Sequence, residues 1–247
     1  MQNITQTTEP ITPATLHPVR TAVMVQTWRD LTFLHWSFDP GAVRRLLPAQ
    51  LELDLFDGKA WIGLVPFLIT GLTLPHGPSM PWLSRFPETN VRTYVTGPSG
   101  RRGVWFFSLD AARVLAVLGA RTGFGLPYFW SRMRVTRAPR AVNYDSRRVQ
   151  GPAAHSHVVI EPGERIEQAS ELELFLTARF CLYAVRFGSL IRADIEHQPW
   201  PLHRGRVERL SQTLVEAAGL PSPAGDPLVH FAPRVDVRVA APQPAAT

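Results

Sequence analysis

The chain has 247 residues but only one cysteine and one lysine. Cys181 alone excludes an intramolecular disulfide and any multi-cysteine metal site. It sits in the apolar run FCLYAV, where a buried, inert thiol is expected. Such cysteine usage fits a reducing compartment, and a cytoplasmic location is the expectation. Long apolar runs are missing too. None approaches the roughly 18–20 residues needed to span a bilayer. The start, MQNITQTTEPITPATLHPVR, has no apolar core of the signal-peptide kind. No membrane partner is expected. There is also no run of five or more like charges, although the formal net charge is +6. The basic residues are nearly all arginine, spread along the chain and not interleaved with aromatics. That argues against a specific nucleic-acid surface and leaves a diffuse field suited to anionic ligands. Nucleophile elbows, phosphate loops and dinucleotide fingerprints are absent as well.

What is present is a globular composition with 45% hydrophobic residues, 23 prolines and 17 glycines. Many turns follow, and a helical bundle is disfavoured. Residues 1–18 read as a disordered leader, 19–239 as a single domain and 240–247 as a disordered tail. WRDLTFLHWSF (28–38) predicts a strand. Asp39 and Pro40 then start a short helix. Asp57-Gly58 marks a hairpin within 51–70, and GPSG another within 89–110. The stretch 111–122 has helical composition. Strands follow around 128–139, 141–150 and 155–163. Ser170 with Glu173 forms a capping-box pattern. An amphipathic helix is expected over 207–218, stopped by Gly219, before a closing strand. Helices and strands do not alternate as βαβ units, so the class is α+β.

Two segments carry the chemistry. In FPETNVRTYV (86–95), alternation puts Glu88, Asn90, Arg92 and Tyr94 on one strand face. The opposite face, Thr89, Val91, Thr93 and Val95, is β-branched and suits a sheet packed on a core. Glu88 and Arg92 are about 13 Å apart along a strand, so they are not a simple neighbouring ion pair. The polar face is either solvated or lines a polar cavity. In ARTGFGLPYFWS (120–131), Gly123, Gly125 and Pro127 among aromatics point to a bend or close backbone approach, or to an ordinary helix-to-strand turn.

Together, residues 86–131 resemble the central block of the acetoacetate decarboxylase superfamily. Its motif reads like G-R-E-x-x-G-F-P-K-K. Arg121 falls on the motif's arginine and Thr122 on its glutamate. Gly125 and Pro127 fall on the second glycine and the proline, and Leu126 on the phenylalanine. Tyr128 and Phe129 fall on the two lysines, and Glu88 on a glutamate of the preceding strand. Over about residues 25–202 the chain is more similar to the YqjF-like family within that superfamily. LTFLHW, LLPAQLELDLFDGKAWIGLVPF, ETNVRTYV, GVWFFSLDA, ARTGFGLPY, LTARFCLYAV and HQPWPL carry that likeness. It implies a cone-shaped antiparallel β-barrel with flanking helices, and it makes self-association an expectation.

The resemblance does not extend to the lysine chemistry. The decarboxylase forms an imine on a lysine whose amine is activated by an adjacent cation. Tyrosine and phenylalanine stand at both lysine positions here. Lys59, the one lysine, lies in the turn FDGKAW and is expected to be exposed. Imine-dependent decarboxylation is therefore disfavoured. The surviving candidates are Glu88 and Tyr128 as catalytic groups, and Asn90, Arg92, Tyr94 and Arg121 as ligand-binding groups. Arg92 or Arg121 would anchor an anion through a bidentate fork. A desolvated Glu88 would act as general acid or base. The alternative is a structural ion-pair network inside a barrel. His155 and His157 share a face but lack a third ligand, so neither metal nor cofactor is expected. His197 has no role assigned by pattern. The expected partner is a small anionic or carbonyl-bearing molecule. The protein is then either an enzyme working without an imine or a non-catalytic binder.

Overall fold

The computed structural model describes residues 7–75, 84–113 and 123–245. The strands are β1 (Ala22–Phe38), β2 (Glu52–Leu53), β3 (Ala60–Thr73), β4 (Arg85–Thr96), β5 (Arg102–Ala111), β6 (Tyr128–Arg137) and β7 (Val142–Arg148). Then come β8 (His155–Arg165), β9 (Cys181–Arg186), β10 (Ser189–His197), β11 (His203–Gln212), β12 (Leu228–Ala240) and β13 (Gln243–Pro244). Short helices among the described residues include α1 (Pro40–Arg44), α2 (Glu171–Thr177) and α3 (Leu214–Ala217).

The thirteen strands form one sheet that closes twice. One circuit runs β1-β3-β4-β5-β6-β7-β8-β11-β12, a closed nine-strand barrel with few helices. The hairpin β9–β10 cuts across it, pairing with β5 on one side and β12 on the other. This chord closes a smaller seven-strand ring, β1-β3-β4-β5-β9-β10-β12. Pairing is antiparallel except β5–β6 and β5–β9.

The alternation in β4 decides what each face meets. Val91 joins Ile62, Leu64, Leu34 and the inward residues of β7 and β8 in a packed apolar core. Glu88, Asn90 and Arg92 point the other way, into the seven-strand ring. A bulge in β1 helps shape that ring. Asp30 has φ 47°, and the β1–β3 register shifts between Arg29 and Leu34. Trp28 and Leu31, three apart, therefore both face the interior. Asp39 caps α1 by accepting from the Ala42 N–H, and the Ser170–Glu173 capping box opens α2.

Several expectations are revised. The helix over 207–218 is mostly strand: β11 occupies 203–212 and only Leu214–Ala217 is helical. The reason is a bulge. The β8–β11 register shifts between Val207 and Arg209, so Val207 and Leu210 face the same core at a spacing that mimics a helix. Asp57-Gly58 does turn with positive φ at both residues, but it closes on a single bridge, Phe56 to Lys59. The preceding β2 pairs with β4 instead. Glu9, within the expected leader, is hydrogen-bonded to the body of the protein. The Glu9 N–H donates to the Gly100 carbonyl, and Arg102 Nε donates to the Glu9 carbonyl. The tail adds β13 to the edge of β10. Backbone hydrogen bonds, which composition does not report, hold Glu9 and Gln243–Pro244. The helix expected at 111–122 falls almost wholly outside the described residues. Among those described, no helix is long and apolar enough to cross a membrane.

Candidate functional site

All seven strands of the smaller ring contribute to one cavity of about 310 Å³. Its wall is mainly apolar, with Trp28, Phe67, Ile69, Phe86, Phe106 and Leu109 prominent. Gln26, Glu88, Asn90, Arg92 and Tyr128 supply its polar groups. Clefts of this size and character are the usual small-molecule sites.

Glu88 is 4% exposed. Tyr128, at the start of β6, donates its hydroxyl to Glu88 Oε2 at 2.7 Å. Burial and the nearby Asp110 carboxylate push the Glu88 pKa up to about 7, although hydrogen bonds from Tyr128 and Asn90 oppose the shift. Burial and the Glu88 charge hold the Tyr128 phenol well above its ordinary range. Tyr128 is only half-buried by surface because its ring fronts the cavity. The arrangement is a carboxyl group poised to gain or lose a proton near neutrality, beside a phenol that stays protonated.

Arg92 is 8% exposed. Its Nη2 donates to the Leu176 carbonyl at 3.2 Å and approaches the Tyr94 hydroxyl at 3.4 Å. Its guanidinium lies near the rings of Phe33 and Tyr94. No carboxylate pairs with it among the described residues. The carbonyl end of α2, here Leu176, takes that place with only partial negative charge. Among the described residues Arg92 Nε has no hydrogen-bond partner, and neither do Asn90 Oδ1, Gln26 Oε1 or Trp28 Nε1, all buried atoms of the cavity wall. Opposite Arg92 in the ladder is Gly63, whose missing side chain leaves room for His35 and the Arg92 stem.

Tyr94 does not line the cavity. It is fully buried below Arg92 and donates to the Leu176 carbonyl at 2.6 Å. His35 Nε2 lies 2.6 Å from the same hydroxyl and must be the donor, since the Tyr94 proton is already committed. Burial and Arg92 keep His35 neutral, well below its usual pKa. Tyr94 thus contacts Arg92 from outside the cavity wall. Arg121 lies outside the described residues. Phe129 stacks on the Arg148 guanidinium, 3.9 Å from ring centre to Cζ. Lys59 is exposed and absent from the cavity wall.

Sequence reasoning missed two things. One is the apolar wall from β1 and β3. The other is the buried cluster behind Glu88. Asp110, with no exposure, accepts from Arg148 Nε at 2.8 Å and Nη2 at 2.7 Å, and from the Ser131 hydroxyl at 2.6 Å. A carboxylate inside the apolar strand FFSLDA was the available signal, because buried charges need partners. His157 pairs with Asp145, and His155 lies near Ser211 and Thr213. Among the described residues, no three metal-binding side chains cluster. His197 stacks among Trp28, Phe180 and Trp200, and burial lowers its pKa to about 4.

Comparison with known proteins adds the following. Residues 25–236 match DUF2071, described as an uncharacterized conserved protein (COG2071). The chain is 41% identical over 217 residues to the uncharacterized protein YqjF of Bacillus subtilis (strain 168), covering 87% of this chain and 89% of that one. Among solved structures it is similar to the enduracididine biosynthesis enzyme MppR complexed with pyruvate. There the TM-score is 0.65 at 14% identity, over 92% of this chain and 91% of that one. It is also similar to acetoacetate decarboxylase from Legionella pneumophila, with TM-score 0.61 at 12% identity over 94% and 92%. At such identities the likeness is one of fold.

Proposed function

The chain belongs to the DUF2071 family, and from its site we propose an enzyme that acts on a small carbonyl or carboxylate compound by acid–base chemistry without an imine. One observation carries this reading: a cavity-facing carboxyl with a pKa of about 7, hydrogen-bonded to a phenol. Ionised Glu88 takes a proton from the carbon next to a carbonyl. The C–H bond breaks, the proton goes to Glu88, and the electron pair moves onto the carbonyl oxygen. Once protonated, Glu88 no longer requires the Tyr128 hydrogen bond. The Tyr128 hydroxyl then donates to the developing enolate oxygen. Arg92 holds the substrate's anionic group, with Asn90 between the two centres. That a fold relative was solved with pyruvate bound supports an oxo acid as the compound class to try first.

The test is exchange of substrate C–H for deuterium in D2O, followed by NMR on a panel of 2-oxo and 3-oxo acids. Glu88→Gln is expected to slow exchange at least a hundredfold. Exchange that survives this substitution would overturn the assignment. The second reading is a non-catalytic binder, favoured by the largely apolar wall. Tight binding with no exchange in the wild type would select it.

A further inference from the structure

The polar groups of the cavity are not evenly distributed. Following the β3–β4 ladder, Arg92 faces Gly63, Asn90 faces Val65, Glu88 faces Phe67 and Phe86 faces Ile69. Beyond Ile69 the wall continues as Leu72 and Leu74, joined by Phe124 from the other side. Leu72 and Leu74 are partly buried and lie at the end of the ladder away from Arg92, the distal end. Arg92 marks the blind end, closed by Tyr94, Phe33 and the carbonyl end of α2. The Glu88–Tyr128 pair lies between. Ordered from the blind end to the distal end, the wall therefore reads cation, amide, acid–phenol pair, then a mainly apolar surface into which Gln26 of β1 brings a neutral amide.

Size bears on what fits. At about 30 Å³ per water, 310 Å³ holds about ten water-sized groups. A two- or three-carbon acid would fill only the Arg92–Glu88 portion. The apolar remainder would then stay uncovered, and apolar cavity surface is where added methylenes gain most.

We infer that the ligand is a monocarboxylate carrying an extended apolar substituent, bound head-first with its carboxylate on Arg92 and its apolar part between Leu72, Leu74, Phe86 and Phe124. The inference rests on this cavity being the functional site, but not on the chemistry performed there. Three observations converge on it: a buried guanidinium at the closed end with no carboxylate partner among the described residues, its Nε without a partner among them, and a distal wall that is mainly apolar among the described lining residues. A diacid is disfavoured, because the distal end offers no second cation among the described lining residues.

Isothermal titration of the full chain with acetate, butanoate, hexanoate, octanoate and decanoate tests it. Dissociation constants are expected to tighten about fourfold per methylene until the cavity is full, then level off. Arg92→Gln should weaken every acid by a similar factor of ten or more while leaving the chain-length slope intact. Leu72→Trp should shift the optimum to shorter acids. Leu74→Trp serves the same purpose if the first variant fails to fold. Primary alcohols of matched length should bind at least tenfold more weakly than the acids. Affinity independent of chain length would overturn the apolar-substituent inference, while the deuterium-exchange reading above would stand or fall separately. Alcohols binding as well as acids, or no loss in Arg92→Gln, would overturn the head-first orientation.

Discussion

Two arginines are buried to the same degree in this sheet, at 8% exposure each, and they are treated in opposite ways. The charge of Arg148 is matched by a carboxylate, although its Nη1 has no hydrogen-bond partner among the described residues. Asp110 grips it through two short hydrogen bonds, Ser131 completes the carboxylate, and Phe129 covers the guanidinium face. Arg92 has a backbone carbonyl, a phenol and aromatic faces, but no carboxylate among the described residues. The first arrangement spends its charge internally and presents nothing to a ligand. The second leaves positive potential directed into a cavity. Buried ion pairs hold a structure in register, whereas an unpaired buried cation is tolerated only where some other gain offsets its cost. The difference is the one expected between an arginine that serves the scaffold and one that meets a ligand.

The sharpest way to break this contrast is Asp110→Asn. It strips the partner from Arg148 and should cost about 3–5 kcal/mol in urea unfolding. A loss under 1 kcal/mol would mean that the pair is not structural. The next effect is pH-dependent. With Glu88 raised to about 7 in the folded state, the unfolded chain ionises first as pH rises. Stability from this group is full below about pH 4.5 and is lost by up to about 3 kcal/mol as pH climbs through 7. Wild type minus Glu88→Gln, followed by urea titration from pH 4.5 to 8, should show that decline. A flat difference would place Glu88 in a more polar setting. Tyr128→Phe comes third. It removes a hydrogen bond that favours ionised Glu88, so the carboxyl should titrate above 7, by about one unit. Infrared detection of the protonated carboxyl would read it. Arg92→Met is the smallest in stability, within about 1 kcal/mol of wild type, because no buried anion is orphaned. Should it destabilise as strongly as Asp110→Asn, Arg92 would belong with the scaffold after all.

Much of the site was legible in one strand. Period-two alternation from Glu88 to Tyr94 separates a polar face from a β-branched one, and the structure places Glu88, Asn90 and Arg92 in one cavity. Alternation gives the face but not where along it a cavity ends, so Tyr94 could not be distinguished from its neighbours. Trp28, Phe67 and Phe106 come from strands distant in sequence, and nothing local marks them as wall. The double closure of the sheet was also hidden, because it rests on the register of β9 with β5 and β10 with β12. Val207 and Leu210 misled for a definable reason: a bulge lends a strand the spacing of a helix.

The chord formed by β9 and β10 has a further consequence. Strands β3 and β4 become a partition with a dense apolar filling on one side and an open chamber on the other. Residues at alternate positions answer to different demands. One set is constrained by packing, and the other is free to drift with whatever occupies the chamber. Such a layout lets a lineage change guests without rebuilding the house. It also tells an engineer which alternate positions of β3 and β4 to randomise and which to leave alone.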